Sequence, residues 1–310
     1  MTYAIISDIH GNYPALAAAI EDAKAHSADE YILIGDYTSR IPYDNEVVNT
    51  IRTLSPAHII QGNGERHYLS LPKSKDTQSN PQFKPLYWSL NELSPKNLAY
   101  LLALPETAVV SHEDTDIYLA HSIDLFYRPS VIGFFHTLNF SDMMLDTPIS
   151  HKQYLTMGKE ALLSCPDALA DILALPKGIH LFGHNHLQFH MEHEGRLFIN
   201  PGSCGMTADW NPAAAYTLLH IESGNWVIQE RRVEYDIQAT IEKFTTSGYH
   251  NYAPVWSKAI QLQLQTGKEY FGWFVTHIEA TKKRLGPTIT PDEAWDTAAK
   301  TWGKQLEYIT

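Results

Sequence analysis

The chain has 310 residues, of which 44% are hydrophobic and 11% aromatic, so it can bury a substantial core and is not disordered overall. Asp and Glu outnumber Lys and Arg by 35 to 23, and the net charge of -12 gives no global attraction for nucleic acid or anionic lipid. Cys165 and Cys204 are the two cysteines and suit a reducing compartment. No run reaches the roughly 20 apolar residues of a membrane helix, and the N-terminus lacks a basic lead. We therefore expect a soluble, cytoplasmic protein without a membrane partner.

Strands and helices alternate over the first sixty residues. Short apolar runs typical of strands buried on both faces lie at residues 3–7, 31–34 and 57–61. Between them, Asn12 is a suitable helix N-cap, and residues 44–53 have the pattern of a short helix. This order predicts a parallel sheet with right-handed crossovers.

The remainder of the chain changes from mixed to helical. One helix begins at Ser94-Pro95 and stops at Pro105, and another is predicted over residues 160–175. Further strands are predicted at 107–111, 116–120, 179–183, 196–199, 215–221 and 225–234. The last alternates apolar and charged residues, as a half-exposed edge strand does. Residues 124–158 are irregular, a place where a substrate-binding loop could be, and from about 236 amphipathic helical patterns run to the end.

Five short segments share one format, an apolar strand that ends in side chains able to bind a metal. They are Asp8-Ile9-His10, Gly35-Asp36, Gly62-Asn63, Ala120-His121 and Gly183-His184-Asn185-His186. Ligands bind at the carboxyl ends of strands in an open sheet, so we expect seven donors at one edge: Asp8, His10, Asp36, Asn63, His121, His184 and His186. Nitrogen and oxygen donors without thiolate suit Mn, Fe, Ni, Co or Zn. Seven donors suffice for two ions if one carboxylate bridges.

In this order the five motifs resemble the signature of calcineurin-like metallophosphoesterases. Asn200-Pro201-Gly202-Ser203, after the last motif, resembles the compact bacterial and archaeal phosphodiesterase branch. The resemblance implies an α/β (α+β) fold, a four-layer sandwich of two mixed β-sheets flanked by helices. We accordingly predict a metallophosphoesterase domain at residues 1–235 and a helical C-terminal extension at residues 236–310 that packs on the core or covers the cleft.

The resemblance also implies a role for each motif residue. The first divalent ion would be held by Asp8, His10, Asp36 and His186. The second would be held by Asp36, Asn63, His121 and His184, with Asp36 bridging. A metal-bridging hydroxide would attack the phosphorus of a small phosphodiester or phosphomonoester in line, with Asp36, Asn63 and His184 in catalytic roles. Two divalent ions would also reverse the local field, which lets an acidic protein bind phosphate.

The chain departs from the family pattern at Gly64, where many relatives carry a histidine that assists the leaving group. His67 is a candidate for that acid if a helix begins at Asn63, and the alternative is that it packs or faces solvent. Without such an acid, leaving groups of low pKa are favoured, because they need little protonation.

Three further residues near the motifs are candidates for substrate or supporting roles. Glu65 is expected to support the site by hydrogen bonding rather than to touch a metal. Arg40 either holds a substrate phosphate or is a plain surface arginine. Asn12 could meet a phosphate, although helix capping explains it without help.

Other functions fit the same motifs. One is a non-catalytic scaffold, as in the retromer subunit of this family, but here all seven matching positions are filled. Another is a nuclease or a cyclic-nucleotide phosphodiesterase that uses the same metal pair. The net charge of -12 and the lack of a Lys/Arg-rich stripe count against a long nucleic acid as substrate.

Overall fold

The computed structural model of the chain describes residues 1–71, 81–122 and 164–306, together with 150, 152–153, 155–156 and 159–160. Most of the segment 124–158, for which we expected an irregular course, therefore lies outside the described residues.

Within that part of the chain, strands and helices share the first three quarters, and the last quarter is helical. The strands are β1 (Thr2–Ile6), β2 (Glu30–Ile34), β3 (Ala57–Ile60), β4 (Thr107–His112), β5 (Thr115–Ala120), β6 (Gly178–Leu181), β7 (Gln188–His193), β8 (Arg196–Pro201), β9 (Ala214–Glu222) and β10 (Asn225–Val233). The helices are α1 (Tyr13–Ala25), α2 (Asp44–Ile51), α3 (Asn63–Ser70), α4 (Lys84–Glu92), α5 (Pro95–Leu102), α6 (Pro166–Ala174), α7 (Ile237–Thr246), α8 (Tyr249–Tyr252), α9 (Pro254–Thr266), α10 (Tyr270–Leu285) and α11 (Pro291–Leu306).

The strands form two five-stranded mixed sheets. Sheet 1 has the order β10-β9-β1-β2-β3, in which β1, β2 and β3 are parallel and β9 runs antiparallel to β1. Sheet 2 has the order β4-β5-β6-β8-β7, in which β5, β6 and β8 are parallel and the two edge strands are antiparallel. The predicted pair of mixed sheets with helices beside them is confirmed.

The alternation of side chains along each buried strand explains how the layers form. On sheet 1, Ile5 and Ile32 point toward sheet 2 and share a core cluster with Leu119 and Ile179. Residues on the opposite face, such as Ile6, pack on the apolar sides of the helices α1 and α2. Because both faces of β1 and β2 are buried, their sequences are continuous apolar runs.

Local signals fix several element ends. The side chain of Asn12 accepts a hydrogen bond from Ala15 N at the start of α1, and Ser94 does the same for Asn97 N at the start of α5. β10 lies at the edge of sheet 1, as its alternating pattern predicted.

Two predictions from the sequence need revision. The strand β7 was not expected, because Gln188–His193 contains four polar residues among six and its outer side is partly exposed. The helix expected over 160–175 is described as α6 from Pro166 to Ala174, with Pro166 in the first turn, where its missing N–H costs nothing.

The C-terminal helices pack against the sheet-bearing part of the chain. Ile41 and Met206 belong to the same core cluster as Phe244, Trp256 and Phe274. Hydrogen bonds reinforce this contact: Trp256 Nε1 donates to Pro81 O at 2.9 Å, Lys84 Nζ to Tyr252 O at 2.8 Å, and Gln263 Nε2 to Thr207 O at 3.1 Å. Among the described residues, no helix is both long and apolar enough to cross a membrane.

Candidate metal centre

The motif residues reach the site from both sheets. In sheet 1, Asp8 and His10 follow β1, Asp36 follows β2, and Asn63 opens α3 directly after β3. In sheet 2, His121 follows β5, and the segment 183–186 follows β6. The side chains therefore meet where the carboxyl ends of two packed sheets adjoin, and not at the edge of one open sheet as the strand order alone suggested.

The backbone at these positions is strained. Five of the seven motif residues have a positive φ, between 51° and 71°: Asp8, His10, Asp36, His184 and His186. This left-handed conformation is uncommon for residues other than glycine and costs free energy, so it persists where the surrounding structure imposes it. Its concentration at the strand ends is typical of a functional site.

The two carboxylate oxygens of Asp8 have different surroundings: one accepts hydrogen bonds, and the other faces the histidine side chains of the site. Its Oδ2 accepts hydrogen bonds from Ser7 Oγ at 2.7 Å and from His184 N at 3.0 Å. Its Oδ1 is buried without a hydrogen-bond partner among the described residues. This oxygen lies 3.4 Å from His186 Nε2 and 3.8 Å from His10 Nε2. A buried carboxylate oxygen that faces imidazole nitrogens in this way is a suitable metal donor.

Asp36 and His121 are arranged in the same manner. Asp36 Oδ1 accepts a hydrogen bond from Gly64 N at 2.7 Å and lies 3.5 Å from His121 Nε2, while Asp36 Oδ2 lies 3.9 Å from His10 Nε2. His121 Nδ1 is 2.6 Å from Ile34 O and donates to that carbonyl. The hydrogen bond fixes the ring so that Nε2 points at the carboxylates, as metal-binding histidines require.

Two groups of three side chains bring their donor atoms within 4.8 Å of one another, and Asp8 belongs to both. They are Asp8, His10 and His186, and Asp8, Asp36 and His121. Asn63 adds a side-chain oxygen that is buried without a hydrogen-bond partner in the described part of the chain. The ring of His184 lies edge-on to that of His121, with 5.4 Å between centroids. The donor set is mixed nitrogen and oxygen, so it fits divalent transition metals.

The electrostatics of the site favour bound cations. Burial disfavours ionisation of Asp8 and Asp36, but the adjacent histidines, foremost His121, hold the pKa of both carboxyl groups well below the usual range. Burial also opposes charge on His121, yet the two carboxylates raise its pKa to about 10. By contrast, burial lowers the pKa of His10 to about 3 and that of His184 to about 4, so both rings are neutral and offer a lone pair. The site therefore combines two ionised carboxylates with two neutral imidazoles, those of His10 and His184, while the two carboxylates favour the charged form of His121.

Glu65 joins the two loops of sheet 1 that carry Asp36 and Asn63. The carboxylate is fully buried and accepts hydrogen bonds from three backbone N–H groups: Asp36 N at 3.0 Å, Tyr37 N at 2.9 Å and Gly62 N at 2.9 Å. Burial and the nearby Asp36 carboxylate raise the pKa of Glu65 to about 7. Gly62 is required beside it, because a Cβ at this position would collide with the Asp36 carboxylate.

The Asn200–Ser203 segment supports the remaining loops. Asn200 Nδ2 donates to Gly183 O at 2.9 Å and to Asn185 Oδ1 at 2.7 Å, which holds the turn between His184 and His186. Ser203 Oγ donates to Asp8 O at 2.7 Å. This segment thus joins the loop after β1 in sheet 1 to the loop after β6 in sheet 2.

The structure distinguishes the three residues for which the sequence left a choice. Arg40 lines the cleft beside His10 and Asp36. Asn12 is buried as the N-cap of α1, and its amide donates to Gly205 O and Tyr235 Oη. The helix α3 does begin at Asn63, but the His67 side chain is exposed and is not among the described residues that line the cleft.

One side of the cleft is formed by residues that belong to no sequence motif. The cleft has a volume of about 270 Å³, and opposite the motif residues it is lined by Met206, Glu269, Phe271, Val275 and Thr276. All but Met206 lie in or beside the N-terminal part of α10. Glu269 Oε2 lies 4.0 Å from His186 Nδ1. No local signal could have identified these residues, because they continue an amphipathic helical pattern and reach the cleft only through the packing of the C-terminal helices.

Two mixed sheets that carry Asp, Asn and His donors on adjoining strand-end loops define a metallophosphoesterase architecture. Residues 1–224 match the calcineurin-like phosphoesterase superfamily domain, and the chain belongs to this superfamily, as the motifs predicted. The membership supports hydrolysis of a phosphate ester as the kind of reaction. The chain is also 25% identical, over 260 residues, to an uncharacterized protein of Methanocaldococcus jannaschii, a match that covers 82% of this chain and 94% of that protein.

Solved structures share the fold. A metallophosphoesterase from Sphaerobacter thermophilus aligns with a TM-score of 0.61 at 22% identity, over 86% of this chain and 99% of that one. A hypothetical protein from Pyrococcus horikoshii OT3 aligns with a TM-score of 0.54 at 18% identity, over 82% of this chain and 97% of that one.

Proposed function

We propose that the protein is a binuclear metal-dependent phosphoesterase that hydrolyses a small phosphodiester or phosphomonoester. The observation that carries this proposal is the convergence of seven donor side chains at the joint edge of two sheets, with Asp8 Oδ1, Asn63 Oδ1 and His121 Nε2 buried and without hydrogen-bond partners among the described residues. Buried polar atoms normally have a hydrogen-bond partner. A bound cation would give these three atoms the partner that they lack.

The residues divide into two sets of ligands. Asp8, His10, Asp36 and His186 would hold one divalent ion, and Asp36, Asn63, His121 and His184 the other, with Asp36 shared. The ions, drawn from Mn, Fe, Ni, Co or Zn, would supply the Lewis acidity and the activated water for an in-line phosphoryl displacement. The protein's part is to orient the ligands: Ile34 O fixes the His121 ring, and Ser7 Oγ fixes the Asp8 carboxylate.

Substrate binding is assigned to the residues around these ligands. Arg40 would bind an anionic oxygen of the phosphate ester with its guanidinium N–H groups. Met206, Phe271 and Val275 give the opposite side of the cleft an apolar surface, which suits an aryl or alkyl leaving group. A cleft of about 270 Å³ favours a small ester over a long nucleic acid.

The leaving group receives no proton from position 64, which is glycine. A Cβ there would lie 3.1 Å from Asp36 Oδ1, so the position is also tight. The hydrolysis rate should therefore fall steeply as the pKa of the leaving group rises. If His67 acts as the acid through movement of substrate or protein, replacing it by Gln will steepen this dependence further.

The test is metal content per chain on purified protein, measured together with turnover of an aryl phosphodiester and the matching monoester in added manganese. We expect two metal ions per chain and a preference for the diester. Little bound metal and no turnover after reconstitution with manganese would contradict the proposal and favour a scaffold on the same fold.

A further inference from the structure

The guanidinium of Arg40 is held against an aromatic ring from outside the matched phosphoesterase domain. Its central carbon lies 3.6 Å from the centroid of the Phe271 ring. Among the described residues, Arg40 forms no hydrogen bond and no ion pair, although it borders the cleft near Asp36 and Glu269. The N–H donors of Arg40 are therefore available to an anion, while one face of its guanidinium is covered by the Phe271 ring.

The Phe271 ring also packs against a second aromatic ring. Its other side stacks on Trp256, with 4.5 Å between centroids and 26° between ring planes. Trp256 is buried and donates from Nε1 to Pro81 O at 2.9 Å. Arg40, Phe271 and Trp256 thus form a three-layer stack that runs from the cleft into the core of the C-terminal helices.

The backbone N–H groups at the start of α10 do not provide an alternative anion site. Phe271 N donates to Gln263 Oε1 at 3.1 Å, Gly272 N to Glu269 Oε1 at 2.6 Å, and Trp273 N to Glu269 O at 3.2 Å. Of the described residues that line the cleft, Arg40 is the one with a Lys or Arg side chain.

We propose that Phe271 is a positioning residue that holds Arg40 ready to bind the anionic oxygens of the substrate phosphate. The C-terminal helices then contribute to substrate recognition as well as to packing. The inference rests on the proposed function for the identity of the substrate, but binding of inorganic phosphate tests it independently of turnover. The physical basis is that a stacked guanidinium loses less conformational freedom when it binds, because its orientation is already fixed.

The experiment is calorimetric titration of the full-length, manganese-loaded protein with inorganic phosphate. Phe271→Leu keeps the apolar volume but removes the aromatic face, and we expect it to raise the Kd for phosphate roughly threefold to thirtyfold. Phe271→Tyr restores the face and should remain within about twofold of the wild type. Trp273→Leu is the matched control: Trp273 lies on the same helix but packs against Trp302, with 5.9 Å between centroids, and should leave the Kd unchanged.

A double-mutant cycle separates positioning from a general structural effect. If Phe271 acts through Arg40, then Phe271→Leu has no further effect on the Kd in an Arg40→Gln background. Three outcomes would overturn the inference. They are an equal loss of phosphate affinity from Phe271→Leu in both backgrounds, an unchanged Kd in Phe271→Leu, and no phosphate binding by the wild type. A wild type that binds phosphate through this pair but hydrolyses no ester would instead contradict the proposed function and leave the inference standing.

Discussion

Asp36 has the largest number of roles among the residues of the proposed centre. Its two oxygens face His121 and His10 on opposite sides, and Gly64 N donates to Oδ1. The absence of a Cβ at Gly62 makes room for the carboxylate, since any larger residue would overlap it. In the proposed centre, this enclosed carboxylate is the ligand that the two ions would share.

Replacing Asp36 by Asn should therefore remove metal and activity together. We expect the metal content to fall from two ions per chain to one or none, and kcat/KM to fall by more than the roughly hundredfold that loss of a supporting residue causes. Elemental analysis after gel filtration and an aryl phosphodiester assay measure both quantities. Asp44→Asn, also a buried carboxylate, is the control and should keep both ions. An Asp36→Asn protein with two ions and full activity would rule out the bridging role.

Asp44 gives a pH-dependent prediction of its own. Burial is the main cause that raises its pKa to about 7, and its Oδ2 has no hydrogen-bond partner in the described part of the chain. The folded state thus binds the proton more tightly than the unfolded chain does. The stabilisation is fully present below about pH 4 and is lost as the pH rises through about 7, by up to about 4 kcal/mol at 1.36 kcal/mol per pKa unit.

Urea unfolding of wild type and Asp44→Asn between pH 5 and pH 8 measures this effect. The stability of the wild type relative to the variant should decrease across that interval, because Asn carries no ionisable group. A difference that stays constant with pH would contradict the assignment.

At the scale of elements, the site depends on how strands end. The loops after β1, β2 and β6 all take left-handed conformations at motif residues. Hydrogen bonds donated by the side chains of Asn200 and Ser203, and one accepted by Glu65, hold these loops together. At the start of α10, the Glu269 carboxylate contacts both the helix itself and a histidine of the proposed centre. Glu269 caps this helix through Gly272 N at 2.6 Å and lies 4.0 Å from His186 Nδ1.

Glu269→Gln should separate these two roles. The amide oxygen can still cap α10, but the amide nitrogen would face Gln263 Nε2, which donates to Glu269 Oε2 at 3.3 Å, so the free energy of unfolding should fall by about 1 kcal/mol. The negative charge near His186 is lost, and we expect manganese affinity to fall by about tenfold, the lower end for groups that orient a metal ligand. Calorimetric titration with manganese measures the affinity. Glu242→Gln, an exposed change on α7, is the control, and equal affinities in both variants would refute the role.

At the scale of the whole molecule, the C-terminal helices share an apolar cluster with loop residues of the sheet-bearing part of the chain. Met206 and Ile41 lie in the same apolar cluster as Trp256 and Phe274, and Trp210 N donates to Gly267 O at 2.8 Å. The boundary at residue 235 is a prediction from the change of pattern, and the contacts across it lead us to expect a single cooperative unit.

Thermal unfolding followed by two probes tests this expectation. Four of the seven tryptophans lie beyond residue 235, so tryptophan fluorescence reports mainly on the C-terminal helices, while far-UV circular dichroism reports on the whole chain. We expect both transitions to coincide, and removal of metal by a chelator to lower both midpoints together. An earlier fluorescence transition would show that the C-terminal helices unfold on their own.

The sequence by itself determined the seven motif residues, their places at strand ends and the caps of α1 and α5, because each is set by neighbours a few residues apart. Buried strands such as β1 and β2 were equally clear, since burial on both faces produces continuous apolar runs. The resemblance to a known family implied two mixed sheets, but the tertiary structure alone decided which motif residues each sheet supplies and that β7 pairs with β8. It also decided that Glu269 and Phe271 face the cleft, because this depends on contacts between segments that are far apart in the chain and have no periodic signal.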